Sequence, residues 1–183
     1  MNVLLLPGLG NSCPDHWQSC WERQDSSFQR LEQREWDAPD CAEWVTGLDA
    51  CLRQGTQPVL LAAHSSACAM VARWAARSSA TRTAAVAGAL LVAPTDPDGS
   101  LYPAGPVGFS PLALDRLPFR SIVVASDNDP YVTQKQAARY AHVWGSGFVL
   151  LPGAGHINAA SGYGPWPEGL ELLLSMSPSP RPP

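Results

Sequence analysis

The stretch 58–73, PVLLAAHSSACAMVAR, decides how the chain is read. Residues 59–63 form a short apolar run, the mark of a buried strand. The chain then turns through His64, Ser65 and Ser66 into a run with helical character over 67–77. A serine on a strand-to-helix turn between small residues is the nucleophile-elbow pattern, with Ala63, His64, Ser65, Ser66 and Ala67 at its five positions. Small residues are needed at both ends because the turn brings strand and helix close together. Ser65 would project its hydroxyl above the carboxyl edge of a sheet. Ser66 would present a backbone N–H at the helix start, where the dipole favours negative charge. Ser65 or Ser66 could also be a plain N-cap, so the rest of the chain has to decide.

Composition narrows the alternatives. The chain has 183 residues, 45% of them hydrophobic and 15% charged, with a net charge of −4. This fits one globular domain over 1–175 with a proline-rich, disordered tail at 176–183. No basic block points to nucleic acid, and no apolar run reaches transmembrane length. The start, MNVLLLPGLG, lacks a positive n-region and reads as a first strand, not a signal peptide. Five cysteines without export signals suggest a reducing cytoplasm and free thiols. Cys13, His16 and Cys20 would share a helix face and could in principle hold zinc. The close cysteine pairs typical of zinc sites are missing, so no metal or cofactor is expected; the plainer reading is buried thiols and a histidine with a structural or site-lining role.

Apolar runs and turn signals predict strands at 3–6, 28–36 (weak, near an edge), 59–63, 84–92, 120–125 and 147–151. Helices are predicted at 16–25, 41–54, 67–77, 133–144 and 167–175, with Trp44, Leu48, Cys51 and Leu52 as the buried stripe of the second. The alternation implies an α/β protein with a mainly parallel sheet of about five to six strands, helices on both faces and right-handed crossovers. A Pro/Gly-rich stretch, 95–118, begins at the carboxyl end of a strand, where open α/β sheets place their ligands.

Three polar groups stand after three of these strands: Ser65, Asp129 and His156. Their order along the chain, serine then acid then histidine, is that of the α/β-hydrolases. The chemistry needs all three. A serine hydroxyl attacks an acyl carbon only when a base takes its proton, and a carboxylate fixes the tautomer of that base. Two N–H donors must hold the oxyanion; Ser66 and Leu9, the latter in the glycine loop after the first strand, are the candidates. Asp127 and, more distantly, Asp96 are rival acids. His64 is a rival base but should point away from the Ser65 hydroxyl. His142 reads as a surface residue and Cys68 as packing. Trp17, Tyr131 and Trp166, close in sequence to strand ends, are candidates for lining the substrate pocket.

The chain resembles the small α/β-hydrolase-fold serine hydrolases related to retinoblastoma-binding protein nine. The resemblance rests on LPGLGNSCPDHWQ (6–18), WDAPDCAEW (36–44), AHSSAC (63–68), LPFRSIVVASDNDPY (117–131) and GAGHINAASGYGPW (153–166). It implies a triad at Ser65, Asp129 and His156, which favours Asp129 over Asp127. It also implies activity on small acyl esters and no large cap domain. Ala63 and Ala67 stand where that family usually has at least one glycine. The expected partner is a small acyl substrate, with no nucleic acid or membrane. A thioesterase or amidase would use the same machinery, and a non-catalytic binding protein on the same scaffold is the alternative from another class.

Overall fold

The computed structural model describes residues 2–177, and the last residues of the expected tail, 178–183, lie outside them. Six strands form one sheet: β1 (Val3–Leu6), β2 (Phe28–Arg30), β3 (Val59–His64), β4 (Val86–Val92), β5 (Arg120–Ser126) and β6 (Gly147–Leu151). Their order is β2-β1-β3-β4-β5-β6, and every pair is parallel. The helices are α1 (Trp17–Gln24), α2 (Cys41–Gln54), α3 (Ser66–Arg77), the short α4 (Ala80–Thr83), α5 (Gln134–Trp144) and α6 (Pro167–Leu174).

Period-two alternation along the strands sends side chains to opposite faces, and both faces are apolar. Leu4, Leu6, Leu61, Ala63, Leu91 and Val123 meet the buried faces of α2, α3 and α5. Val3, Leu5, Leu60, Ala62, Leu90 and Val124 meet Trp17 and Trp21 of α1 and Leu173 of α6. The result is a three-layer α/β/α sandwich. The α2 helix follows its sequence signals: the Asp40 carboxylate accepts the Ala42 N–H at its start, and Gly55 ends it. Its buried residues are Cys41, Trp44, Leu48 and Leu52; Cys51 is only half-buried.

Three expectations need correction. The weak strand predicted over 28–36 ends at Arg30, because the Leu31 N–H to Leu5 carbonyl bond is the last that follows the β1 ladder. The strand predicted from 84 starts at Val86, and its approach holds the unexpected turn α4. Met176, assigned to the tail, is 2% exposed and packs in the α1/α6 core layer. Its Cβ lies so close to Gly88 that a side chain there would come within 2.9 Å of it.

The segment between β4 and β5 holds no regular helix or strand, so no helical cap is inserted there. It is tied down locally: Val107 exchanges backbone bonds with Pro39 and Cys41, and Arg73 reaches the Phe109 and Pro111 carbonyls. No helix among the described residues is long and apolar enough to cross a membrane.

Met176 supplies a test of where the packed domain ends. Met176→Ala is expected to cost about 2 kcal/mol or more in urea unfolding, the usual penalty for truncating a buried methionine. A loss below about 0.5 kcal/mol, the scale of surface substitutions, would place it outside the core.

Candidate active site

Parallel pairing puts the carboxyl ends of β1, β3, β5 and β6 along one edge of the sheet. Ser65 follows β3 directly and holds φ 58° and ψ −128°, a backbone shape that L-residues rarely adopt. Its N–H donates to the Val92 carbonyl at 2.9 Å, and its carbonyl accepts the Cys68 N–H, so strand and helix grip it from both sides. Ala63 and Ala67 are both fully buried, so the elbow closes with alanine where glycine is usual.

Gly8, in the loop after β1, lies directly against this turn. A Cβ there would come within 2.7 Å of the Ser65 Cβ and 2.9 Å of the His64 carbonyl. This is a position where only glycine fits. The next residue, Leu9, and Ser66 both border the cavity over Ser65. The Leu9 N–H makes no hydrogen bond among the described residues. Ser66 opens α3, where a backbone N–H has no intrahelical partner. The loop is held by the Gly10 N–H on the Trp36 carbonyl and by Arg30, which bonds Asn11 Oδ1, the Ser12 carbonyl, Ser19 Oγ and Glu22.

His156 comes from the loop after β6. Its Nε2 is 3.0 Å from Ser65 Oγ, and its Nδ1 is 2.9 and 3.1 Å from the two Asp129 oxygens. With Nδ1–H donating to the carboxylate, Nε2 is left as an acceptor facing the serine hydroxyl. Asp129 Oδ1 also accepts the Tyr131 N–H at 2.9 Å, which fixes the carboxylate. The three groups are all buried, yet Ser65 and His156 line an open cavity of about 330 Å³.

The rival acids have other tasks. Asp127 accepts the Gly153 N–H, while Ser126 Oγ and Asn128 Oδ1 take those of Ala154 and Gly155. The β5 turn thereby pins the loop that carries His156. Asp96 accepts from Asp98 N–H and the Gln136 amide and does not bond His156. His142 is exposed on α5. Cys68 is fully buried, its thiol pushed up by burial and directed at backbone carbonyls. No cluster of three potential metal ligands exists among the described residues.

Of the three candidate lining residues, only Tyr131 borders the cavity; its ring centroid is 4.7 Å from that of His156. Trp17 and Trp166 are buried instead in an aromatic cluster with Trp21. Trp17 still serves the site from beneath: its indole N–H donates to the Ile157 carbonyl at 3.0 Å, next to His156. From the 95–118 stretch, Thr95, Tyr102 and Pro103 form one wall.

Two further histidines stand where the sequence placed them, one lining the site and one turned from the serine, although Cys13 is exposed and Cys20 half-buried instead of buried. His64 points away from the Ser65 hydroxyl, and its Nε2–H donates to the His156 backbone carbonyl at 2.9 Å. The turn at Ser65 thus holds the loop that carries His156. His16 packs edge-on against His64, with centroids 4.8 Å apart, and borders the cavity. Both rings are held neutral. Burial, then Arg30 and His156, lowers His16 from 6.5 to about 4; burial, then His156 and His16, lowers His64 well below 6.5. The site-lining role of His16 was readable in the sequence; its packing against His64 was not.

A family profile described as "Serine hydrolase" matches residues 3–175. The chain belongs to that family. Among solved structures, this serine hydrolase is similar to a protein described as a YdeN-like hydrolase from Pectobacterium atrosepticum. Identity is 34% and the TM-score 0.84, over 97% of this chain and 92% of that one. The ydeN gene product of B. subtilis aligns at 18% identity and TM-score 0.74, over 96% of this chain and 97% of that one. A monoacylglycerol lipase from Paleococcus ferrophilus aligns at 13% and 0.69, over 96% of this chain and 94% of that one. The last two show the α/β-hydrolase fold alone. A comparison with curated proteins finds no match.

Two predictions follow from the geometry of this hydrolase. Gly8→Ala is expected to abolish fluorophosphonate labelling while far-UV circular dichroism still shows a folded chain; undiminished labelling would mean the loop does not need its close approach. The second concerns acid. A histidine with a lowered native pKa protonates first in the unfolded state, so its contribution is complete above pH 6.5 and is lost as pH falls toward 4. His16 alone should lose about 2 kcal/mol of stability between pH 6.5 and about pH 5. His16→Asn should remove that share of the slope in denaturant titrations at the two pH values; an unchanged slope contradicts it.

Proposed function

We propose that this protein is a cytoplasmic serine hydrolase that cleaves small carboxylic esters through an acyl-enzyme on Ser65. One observation carries the reading: a single imidazole bridges Ser65 Oγ and the Asp129 carboxylate at hydrogen-bond distance on both sides. Ser65 Oγ attacks the acyl carbon as His156 Nε2 takes its proton. The oxyanion settles between the Leu9 and Ser66 N–H groups, with the start of α3 adding favourable field. The imidazolium, stabilised by Asp129, gives its proton to the departing alcohol. Water then repeats the sequence in reverse, with His156 as base, and releases the acid and free Ser65.

The ester assignment draws on the cavity. It holds about 330 Å³, and Leu9 is the one large aliphatic side chain in its lining. Short acyl groups suit it better than fatty chains. Two proteins of similar fold are named for ester chemistry, the monoacylglycerol lipase and an esterase from Thermogutta terrifontis. Thioester or amide cleavage would run on the same groups, but no feature of the cavity favours either.

The test pairs a fluorophosphonate probe with p-nitrophenyl butyrate hydrolysis. Wild type should label and turn over, whereas Ser65→Ala should lose labelling and about 10⁴-fold or more in kcat. Retained labelling in the variant would remove Ser65 as nucleophile. Folded wild type that neither labels nor hydrolyses would favour a binding role on a hydrolase scaffold.

A further inference from the structure

The cavity over Ser65 contains a polar group that triad chemistry does not use. His16 is 4% exposed and forms part of the cavity wall. Its Nδ1 accepts the Gln18 N–H at 3.2 Å and so caps the start of α1. That contact fixes the lone pair on Nδ1, and the neutral ring carries its proton on Nε2. This Nε2 is buried and meets no hydrogen-bond partner among the described residues. A buried donor left without an acceptor costs about 1–3 kcal/mol. Arg73 Nε is the other buried side-chain nitrogen in this state, and Arg73 does not border the cavity.

The rest of the wall fits the same kind of ligand. Asn11, Thr95, Tyr102 and Asn158 contribute neutral polar groups. No Asp, Glu, Lys or Arg lies among the lining residues, and Leu9 is the one large aliphatic side chain. A charged substrate would find no counter-ion there. Asn11, Thr95, Tyr102 and Asn158 already bond within the protein, whereas a purely hydrocarbon chain would leave His16 Nε2–H unpaired, which costs binding.

We propose that His16 Nε2–H hydrogen-bonds an acceptor oxygen of the substrate other than the scissile carbonyl, selecting short, uncharged, oxygen-bearing esters over their hydrocarbon isosteres. The inference rests on the esterase reading and adds the substrate class and the residue that recognises it. His16 is a binding group here and takes no part in proton transfer.

The experiment compares kcat/KM for two pairs of esters, each differing by one oxygen in place of one methylene. p-Nitrophenyl methoxyacetate against p-nitrophenyl butyrate varies the acyl side. 2-Methoxyethyl acetate against butyl acetate varies the alcohol side. The ether oxygen activates the carbonyl by itself, so the readout is the change in each ratio between wild type and variant, in which that activation cancels. His16→Asn keeps an acceptor near the Nδ1 position, and so the cap, but removes the far donor. His16→Gln places an amide N–H near the Nε2 position and gives up the cap. The Asn variant is expected to keep its Tm while the preference for the oxygen-bearing ester falls about fivefold in at least one pair. The Gln variant is expected to show the reverse: a lower Tm and a retained preference.

Unchanged ratios in both pairs for the Asn variant overturn the proposal, as do ratios that merely follow Tm across the two variants. If the Asn variant does not fold, a lost preference in the Gln variant overturns it and a retained one supports it. Wild type inert toward all four esters sinks the esterase reading and this inference with it. Active wild type with ratios indifferent to His16 sinks only the inference.

Discussion

The site depends on one close approach, that of Gly8 to the turn at Ser65. The serine backbone adopts a conformation that costs about 1–3 kcal/mol for a residue with a side chain. Surrounding structure must hold it there. The Val92 carbonyl and the first turn of α3 do so from two sides, and the glycine loop closes the third. That loop can approach only because position 8 has no Cβ. The same approach brings Leu9 to the cavity that Ser66 also borders. The turn at Ser65 and the path of the glycine loop are therefore one constraint, not two.

Around this centre, the loop bearing His156 is held from several directions. Asp127, Ser126 and Asn128 take successive N–H groups at its start. His64 and Trp17 donate to successive carbonyls at positions 156 and 157. The Ser161 hydroxyl accepts the His156 N–H. The ring that bridges Ser65 and Asp129 is thus mounted on a backbone whose polar groups are committed elsewhere. The neighbouring histidines, His16 and His64, stay neutral through burial.

Much of this was legible in the sequence, and the failures have a common cause. β1, α2 and β6 were read with their observed limits because their apolar runs end at strong punctuation: Pro7, Gly55 and Pro152. Ser65, Asp129 and His156 were legible because strand ends in a parallel sheet share an edge. Trp17 and Trp166 were misplaced because nearness to a strand end does not say which side of the sheet a ring enters. Large aromatic surfaces gain more by burial together than by facing a wet cavity. Their cluster spans three tryptophans from α1 and the chain before α6. Arg30, and the partners of His64 and His16, went unread for a related reason. Their partners lie across loops or, for His64, 92 positions away, and a lone sequence carries no mark of such pairings. The extra residues given to the strand at 28–36 show the limit of alternation as a signal, since pairing stops where β1 stops.

The position of β6 carries one more consequence. It is an edge strand, paired on one side only, and its side chains are half-buried or exposed along its whole length. Such a strand is among the first segments to open in native-state fluctuations. Yet it delivers His156 to a serine 91 positions earlier in the chain. The working site is therefore tied to the least protected part of the sheet, and the protein's capacity for chemistry will fade under mild stress while the β1–β3–β4 centre still holds its fold.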